Sequence, residues 1–240
     1  IATLEAQRVA AVDDRSLNQA VDTALLALRD KLAQLQSEPD DRKRHELAVL
    51  VADLSGFTAL SERMDVERVR DAINAMWQVL DAVIRAWGGR IDQHAGDSLM
   101  ALFGLPQPRR GDAVRALQAA LAMQQELALF NERVRRAAAE SWVGEWPGPN
   151  MRVGVHSGPV YFARAPGGAR FDDGRITAVG DTIAVARRLE EAAPAGSVLA
   201  SDAVRGLAAD RFTFAPLPDD ALPPSVDDAY LVTDERAPVA

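Results

Sequence analysis

The run Leu47-Ala-Val-Leu-Val-Ala52 is apolar without interruption and is followed at once by the polar sequence Asp53-Leu-Ser-Gly-Phe-Thr58. A short apolar run that ends in turn residues predicts a strand buried on both faces. Such a strand needs apolar layers on both sides, so the rest of the chain has to supply amphipathic helices. Hydrophobic residues make up 48% of the chain, which is enough for a core of this kind. The sequence therefore predicts a globular domain around a central sheet.

The remaining elements alternate between helix and strand patterns. Helical periodicity covers about residues 60–87, 111–136 and 181–193. Strand patterns cover residues 90–94, 98–103, 151–156, 176–179, 198–201, 212–214 and 229–232, with a glycine-containing connection after residue 156. The order β-α-β-β-α-β with additions is the ferredoxin-like pattern. We therefore predict an α+β fold with a ferredoxin-like βαββαβ core and additional strands, preceded by an N-terminal helix.

That N-terminal helix is amphipathic. Residues 17–36 contain neither Gly nor Pro, and their apolar side chains follow the spacing of a coiled-coil seam at Val21, Leu25, Leu28, Leu32 and Leu35. Such a helix can pair with its own copy, or it can dock on the domain behind it. The polar run at residues 37–44 is typical of a linker. We therefore predict a helix with its linker at residues 1–45 and the main domain at residues 46–240.

Charge and composition exclude several classes of protein. The net charge of -8 argues against nonspecific binding to nucleic acid, which needs a basic surface to neutralise phosphates. The chain has no Cys, so a metal ion must be bound by carboxylate, carbonyl or imidazole groups, and oxygen ligands favour Mg²⁺ or Mn²⁺. No stretch approaches the roughly 20 apolar residues of a membrane helix. We expect a cytoplasmic protein, or the cytoplasmic domain of a longer one.

Two carboxylates are expected where neighbouring strands meet turns. Asp53 follows the buried strand, and Asp97 lies in the turn of a hairpin that is expected to pair beside it. Carboxylates that converge without Cys or clustered His suit divalent cations that also bind phosphates. Taken alone, Asp53 is also explained as a helix N-cap and Asp97 as a turn residue.

The turn after the buried strand is a candidate phosphate cradle. It is expected to present backbone N–H groups at the start of a helix, where the helix dipole and the unpaired amides favour an anion. The residues of this turn are Ser55, Gly56, Phe57 and Thr58.

The larger pattern resembles one protein family. The segments that carry the resemblance are residues 47–64, 88–104, 113–124, 151–160 and 177–190. They include the runs Gly96-Asp-Ser98 and Val153-Gly-Val-His-Ser-Gly158. In this order they closely resemble the motifs of bacterial class III nucleotidyl cyclases, the adenylate and guanylate cyclases. The ferredoxin-like core with additional strands is also the fold of that family.

The resemblance implies an enzyme of intracellular signalling that converts a nucleoside triphosphate, ATP by default, to a 3′,5′-cyclic nucleotide and pyrophosphate at a dimer interface. Asp53 and Asp97 would hold two Mg²⁺ or Mn²⁺ ions, one to help activate the ribose 3′ hydroxyl and one to bind the leaving phosphates. Arg188 would steady charge on the α-phosphate from the other protomer. A homodimer is expected, with a heterodimer of this chain and a homologous cyclase as the alternative.

Several substrate-contact positions depart from the family pattern. Ala184 stands where the family commonly has an asparagine that positions the ribose, and a methyl group cannot form that hydrogen bond. Gln93 stands where many members have a base-reading lysine, and Thr177 matches the partner position of the base reader. The expected base contacts are therefore Gln93 and Thr177.

Lysine is absent from the whole main domain. The only lysines are Lys31 and Lys43, so arginines would have to bind the phosphates. The candidates are Arg164, Arg170, Arg175 and Arg187. These departures leave an alternative function open, a catalytically weak or inactive pseudo-cyclase that binds nucleotide or a homologous partner as a regulatory module.

Overall fold

The predicted buried strand is β1, His45–Ser55, and it lies in the middle of the sheet between β3 and β4. We describe a computed structural model, which covers residues 44–56, 66–141, 148–164, 176–217 and 228–236. Residues 47–52 of β1 are all buried, as the uninterrupted apolar run predicts. The strand continues past Asp53 for two further residues, so Asp53 lies within β1 and not in the turn after it.

The first six elements form the predicted ferredoxin-like core. After β1 they are α1 (Val66–Ala86), β2 (Arg90–Ala95), β3 (Ser98–Phe103), α2 (Asp112–Ser141) and β4 (Asn150–Arg164). The four strands lie in the order β2-β3-β1-β4, and each pairs with its neighbour in antiparallel fashion. Gly88, with φ +80°, lies in the turn that follows α1.

The remaining elements extend this core. They are β5 (Ile176–Val179), α3 (Asp181–Ala192), β6 (Val198–Ser201), α4 (Asp202–Ala208), β7 (Phe212–Pro216) and β8 (Ala229–Glu235). The sheet continues from β4 in the order β6-β8-β7, with β6 parallel to β4, while β5 pairs with the last residues of β4. The α+β class and the βαββαβ core with additional strands are confirmed.

Each face of β1 packs against a different layer. Its even-numbered residues share one apolar cluster with α1 and α2, formed around Leu50, Leu54, Met76, Leu80 and Leu117. Its odd-numbered residues share another cluster with β3, β5 and α3, formed around Leu47, Val49, Val51, Ala178 and Ile183. This alternation follows from the two-residue period of a strand, and it leaves the polar end of β1 at the rim of the core.

Two details of the second half differ from the sequence prediction. The predicted connection after His156 is part of β4, which runs on without a break to Arg164. A Cβ on Gly158 would lie 2.9 Å from Thr182 Oγ1, so this glycine allows α3 to approach the strand and makes no turn. The short helix α4 was not predicted; it begins after Ser201, whose Oγ accepts a hydrogen bond from the backbone N–H of Val204.

The predicted N-terminal helix and nearly all of its linker lie outside the described residues. The division at residue 45 therefore stays a prediction, although the first strand of the described ranges begins at His45. None of the helices in the described ranges has the length and apolarity needed to cross a membrane.

Candidate active site

Pairing of β1 with β3 brings Asp53 and Asp97 to the same end of the sheet. Asp53 lies opposite Ser98, the residue that follows Asp97. The backbone N–H of Leu54 donates a hydrogen bond to the carbonyl oxygen of Asp97 at 3.0 Å. Gly96 allows the tight turn before Asp97 through its φ of +68°. Asp97 is exposed and the side chain of Asp53 is 19% exposed, so both carboxylates are accessible from this end.

On its other side, Asp53 faces an arginine of β4. Asp53 and Arg152 are directly opposite in the β1–β4 register. Arg152 Nη2 donates a hydrogen bond to Asp53 Oδ2 at 2.9 Å, and this bond is the largest cause of the raised pKa of Arg152. Charge-assisted bonds of this kind hold both partners in place when they are partly shielded from water.

Arg152 also forms an ion pair with a buried carboxyl group of α3. Arg152 Nε lies 3.3 Å from Glu190 Oε1, and the Glu190 side chain is only 8% exposed. Burial raises the pKa of Glu190 to about 7, and the positive charge of Arg152 acts against this rise. Arg152 therefore carries one positive charge between two acidic groups, one accessible and one buried.

A glycine makes the close approach of α3 to β4 possible. A Cβ on Gly154 would lie 2.2 Å from the carbonyl oxygen of Ala186 and 2.4 Å from the backbone nitrogen of Glu190. Only a residue without a side chain fits against a helix backbone at this distance. Gly154 thereby lets Glu190 reach the strand that carries Arg152.

The two aspartates fit Mg²⁺ or Mn²⁺ of the kind that accompanies a nucleotide. Mg²⁺ is usually held by one or two carboxylates together with water and substrate phosphates. In the described ranges, no group of three or more His, Cys, Asp or Glu side chains could hold a metal ion by itself. Asp53 and Asp97 offer two of the oxygen donors that such an ion takes.

The turn expected to cradle phosphate is described only at its start. Ser55 is the last residue of β1, and its Oγ donates a long hydrogen bond of 3.4 Å to the carbonyl oxygen of Asn150 on β4. Gly56 has φ +94°, a conformation that turns the chain sharply. Phe57 and Thr58 lie outside the described residues, so the predicted cradle is not tested.

The two predicted base contacts lie on strands that approach each other. Gln93 is exposed on β2, and Thr177 lies on β5. Their chain neighbours are joined, because Asp92 Oδ2 accepts a hydrogen bond from the backbone N–H of Ala178 at 3.3 Å. The predicted base contacts are therefore on adjoining backbone segments.

Ala184 and Arg188 lie one turn apart on α3, so they share a face of that helix. Both are partly buried. Within the described part of the chain, no hydrogen bond or ion pair joins Arg188 to Asp53 or Asp97. The candidate metal carboxylates and the candidate transition-state arginine are thus not linked within one protomer.

A further set of contacts holds the hairpin that carries Asp97. On β2, His94 Nε2 lies 3.0 Å from Asp81 Oδ1 of α1, and its ring meets the Trp77 ring edge to face at 5.2 Å. Arg85 donates a hydrogen bond to the other oxygen of Asp81 at 3.0 Å. His94 thus anchors the β2–β3 hairpin to α1.

Arg152 and Glu190 were missed by the sequence interpretation, although each left a signal. Arg152 is a charged residue inside the buried strand run Met151-Arg-Val-Gly-Val155. Glu190 falls on the apolar stripe of α3, seven and four residues after Ile183 and Ala186. Arg152 stands inside an otherwise buried strand run and Glu190 on the buried face of a helix, and ionisable groups in such surroundings are candidates for functional sites.

Comparison with known sequences assigns the family. The model of the family described as the adenylate and guanylate cyclase catalytic domain matches residues 40–220. Adenylate cyclase 1 of Rhizobium meliloti strain 1021 is 31% identical to this chain over 176 residues, which is 72% of the chain and 25% of that protein. The chain thus spans a quarter of the length of this relative.

Comparison with solved structures agrees with this result. The adenylyl cyclase CyaB from P. aeruginosa superimposes with a TM-score of 0.68 and 26% identity, covering 82% of this chain and 98% of that one. The guanylate cyclase domain of RhGC from Catenaria anguillulae, solved in complex with GTP, gives a TM-score of 0.67 and 25% identity, covering 81% and 100%. Since the family model covers most of the chain, this protein belongs to the adenylate and guanylate cyclase catalytic domain family.

Proposed function

We propose that this chain is a nucleotidyl cyclase that converts a nucleoside triphosphate to a 3′,5′-cyclic nucleotide and pyrophosphate. The observation that carries the proposal is the meeting of Asp53 and Asp97 at one end of β1 and β3, with Arg152 bonded to Asp53. In a member of the cyclase family, this group supplies carboxylates for cations and a fixed positive charge at the same rim of the sheet. A signalling role inside the cell is part of the same proposal.

Asp53 and Asp97 would hold two Mg²⁺ or Mn²⁺ ions. When bound, such ions would lower the charge on the phosphate oxygens and help to activate the ribose 3′ hydroxyl. Arg152 orients the Asp53 carboxylate through their hydrogen bond of 2.9 Å. It also supplies a positive charge beside the triphosphate site in a domain that has no lysine.

The remaining roles belong to a homodimer in the proposal. Arg188 would act from the partner protomer and stabilise negative charge on the α-phosphate. This division rests on the family pattern of residues 177–190, which Arg188 matches. Ala184, on the same helix face, offers no hydrogen bond to the ribose, so a lower rate than that of an enzyme with an amide there is expected.

ATP is the proposed substrate by family default. The similar structures include an adenylyl cyclase and a guanylate cyclase domain with bound GTP, so these likenesses support both purine nucleotides. Gln93 and Thr177 are proposed to contact the base. Their side chains both donate and accept hydrogen bonds, so the two residue types do not by themselves select adenine over guanine.

A second candidate is a pseudo-cyclase that binds nucleotide or a homologous cyclase chain and regulates it. The observation that favours it is the pair of substitutions at Ala184 and Gln93, which remove a ribose contact and a positive charge. Losing one preorganised transition-state contact costs about 10²- to 10³-fold in rate, and two such losses leave little activity. In a heterodimer, the partner chain would supply the missing groups.

The deciding experiment is product formation by the purified dimer with ATP, GTP, CTP and UTP, first with Mn²⁺ and then with Mg²⁺. Mass spectrometry identifies the products. We expect a cyclic monophosphate that disappears in Asp53→Ala and persists in Asp234→Ala, a control at an exposed aspartate of β8. Full activity of Asp53→Ala would refute the metal assignment, and nucleotide binding without turnover by the wild type would favour the pseudo-cyclase.

A further inference from the structure

Asp92 interrupts the pairing of β2 with β3. Ile91 lies opposite Ala101, and the next paired residue of β2 is Gln93, which lies opposite Met100. Asp92 is therefore an extra residue on β2, the arrangement of a β-bulge. Bulges change the direction in which a side chain points and disturb the strict alternation of a strand.

The carboxylate at this bulge reaches a strand that is not next to β2 in the sheet. Asp92 Oδ2 accepts a hydrogen bond from the backbone N–H of Ala178 on β5 at 3.3 Å. Ala178 is buried in the same apolar cluster as Met100 and Leu102 of β3. Asp92 is itself only partly exposed, which strengthens a bond between a carboxylate and an amide.

Each end of this hydrogen bond is next to a proposed base contact. Gln93 follows Asp92 on β2, and Thr177 precedes Ala178 on β5. We propose that Asp92 is a positioning residue for base selection, because its bond to β5 fixes the separation of the backbone at positions 93 and 177. The ligand class is the base of a nucleoside triphosphate, and the inference rests on the proposed function.

The chemistry of the two contacts explains why their separation matters. A glutamine amide and a threonine hydroxyl each donate and accept, so many bases offer them a partner. Hydrogen bonds weaken steeply with misalignment, and a base that leaves a polar group unpaired is rejected. With side chains of this kind, selection depends on where the backbone holds them. Asp92 supplies that constraint without touching the base.

The first test needs no nucleotide. Hydrogen–deuterium exchange of the Ala178 amide is measured by NMR in the wild type, Asp92→Ala, Asp92→Asn and the control Asp234→Ala. We expect faster exchange at Ala178 in Asp92→Ala, since the acceptor is gone. Asp92→Asn should stay close to the wild type, because its amide oxygen still accepts the bond. Unchanged exchange in Asp92→Ala would overturn the contact, and circular dichroism verifies that each variant is folded.

The second test measures selection. Dissociation constants for ATP, GTP, CTP and UTP with Mg²⁺ are obtained by calorimetry for the same four proteins, and KM and kcat are obtained for each nucleotide that is converted. We expect the ratio of affinities between the preferred and the next nucleotide to fall about tenfold in Asp92→Ala. KM should rise while kcat at saturation stays within about threefold, the mark of lost ground-state binding. Asp92→Asn should keep the wild-type ratio.

The outcomes separate the two proposals. A wild type that selects among the nucleotides and an Asp92→Ala protein with the same ratio would overturn the positioning role alone. A changed affinity ratio in Asp92→Asn, with normal exchange of the Ala178 amide, would also overturn the positioning role, because the charge of Asp92 would then act on the base directly. A wild type that neither binds nor converts any of the four nucleotides would refute the proposed function, and the role of Asp92 in base selection with it.

Discussion

Glu190 is a buried carboxyl group whose ionisation should affect stability. Burial raises its pKa to about 7 from a usual value of 4.5, so the folded protein binds this proton more tightly than the unfolded chain does. The resulting stability is fully present below pH 4.5 and is lost as the pH rises through about 7. Glu190→Gln stays neutral throughout. Its free energy of unfolding should therefore rise relative to the wild type between pH 5 and pH 8, by up to about 3 kcal/mol.

Urea unfolding at a series of pH values, with divalent cations removed, measures this difference. Glu191→Gln is the matched control, because Glu191 is the next residue of α3 and is exposed. The change of its free energy of unfolding with pH, relative to the wild type, should be smaller over the same range, because Glu191 is a lesser cause of the raised pKa of Glu190 than burial is. If the difference in free energy of unfolding between Glu190→Gln and the wild type stays constant over this pH range, Arg152 keeps Glu190 ionised in the folded protein.

At the scale of single residues, the sequence indicated the two accessible aspartates of the site but not the arginine and the buried glutamate beside them. Asp53 and Asp97 stand beside turn signals, so their approach followed from the predicted hairpin. Arg152 and Glu190 are joined only through the β1–β4 register and the packing of α3 on β4. Register and helix packing depend on the whole sheet, and a single sequence does not state them.

The contact between β4 and α3 should depend on one glycine. In Gly154→Ala, the new Cβ would meet backbone atoms at 2.2 and 2.4 Å, and backbone cannot rotate away as a side chain can. Strand and helix would have to separate, which should lower the free energy of unfolding by about 3 kcal/mol or more. Gly206→Ala is the control, since Gly206 lies in α4 with open space around it and should be neutral or stabilising by up to about 1 kcal/mol.

Thermal and urea unfolding of the two variants provide the comparison. Equal stability of Gly154→Ala and the wild type would show that α3 does not need to lie so close to β4. Loss of Arg152 orientation should accompany the loss of stability, because Glu190 is carried by the displaced helix.

Elements were predicted more reliably by periodicity than by glycine content. The strands and helices of the core were recognised from apolar spacing, because a strand repeats every two residues and a helix every 3.6. Gly158 suggested a connection, yet it lies within β4 and makes room for Thr182. Glycine marks both turns and close contacts, and only the three-dimensional neighbour distinguishes them.

For the whole molecule, the proposed shared site predicts complementation between two inactive proteins. Asp53→Ala lacks a metal carboxylate and Arg188→Ala lacks the arginine supplied to the partner, so each homodimer should be at least about 10²-fold slower than the wild type. A mixed dimer keeps one complete site, formed by Asp53 of one protomer and Arg188 of the other. Random exchange makes half of the dimers mixed, so about a quarter of the wild-type rate should return.

The control for this experiment is a mixture of Asp53→Ala and Asp97→Ala. In the proposal one protomer supplies both carboxylates of a site. Each of the two sites in this mixed dimer therefore lacks one carboxylate, and activity should not return. Product formation is measured after subunit exchange, with mixed dimers counted by native mass spectrometry of differently labelled chains. Recovery in the first mixture and not in the second requires that the aspartates and Arg188 act from different protomers.

No recovery in the first mixture despite abundant mixed dimers would mean that each protomer uses its own arginine. Recovery in the control mixture would mean that Asp53 and Asp97 of one site come from different protomers.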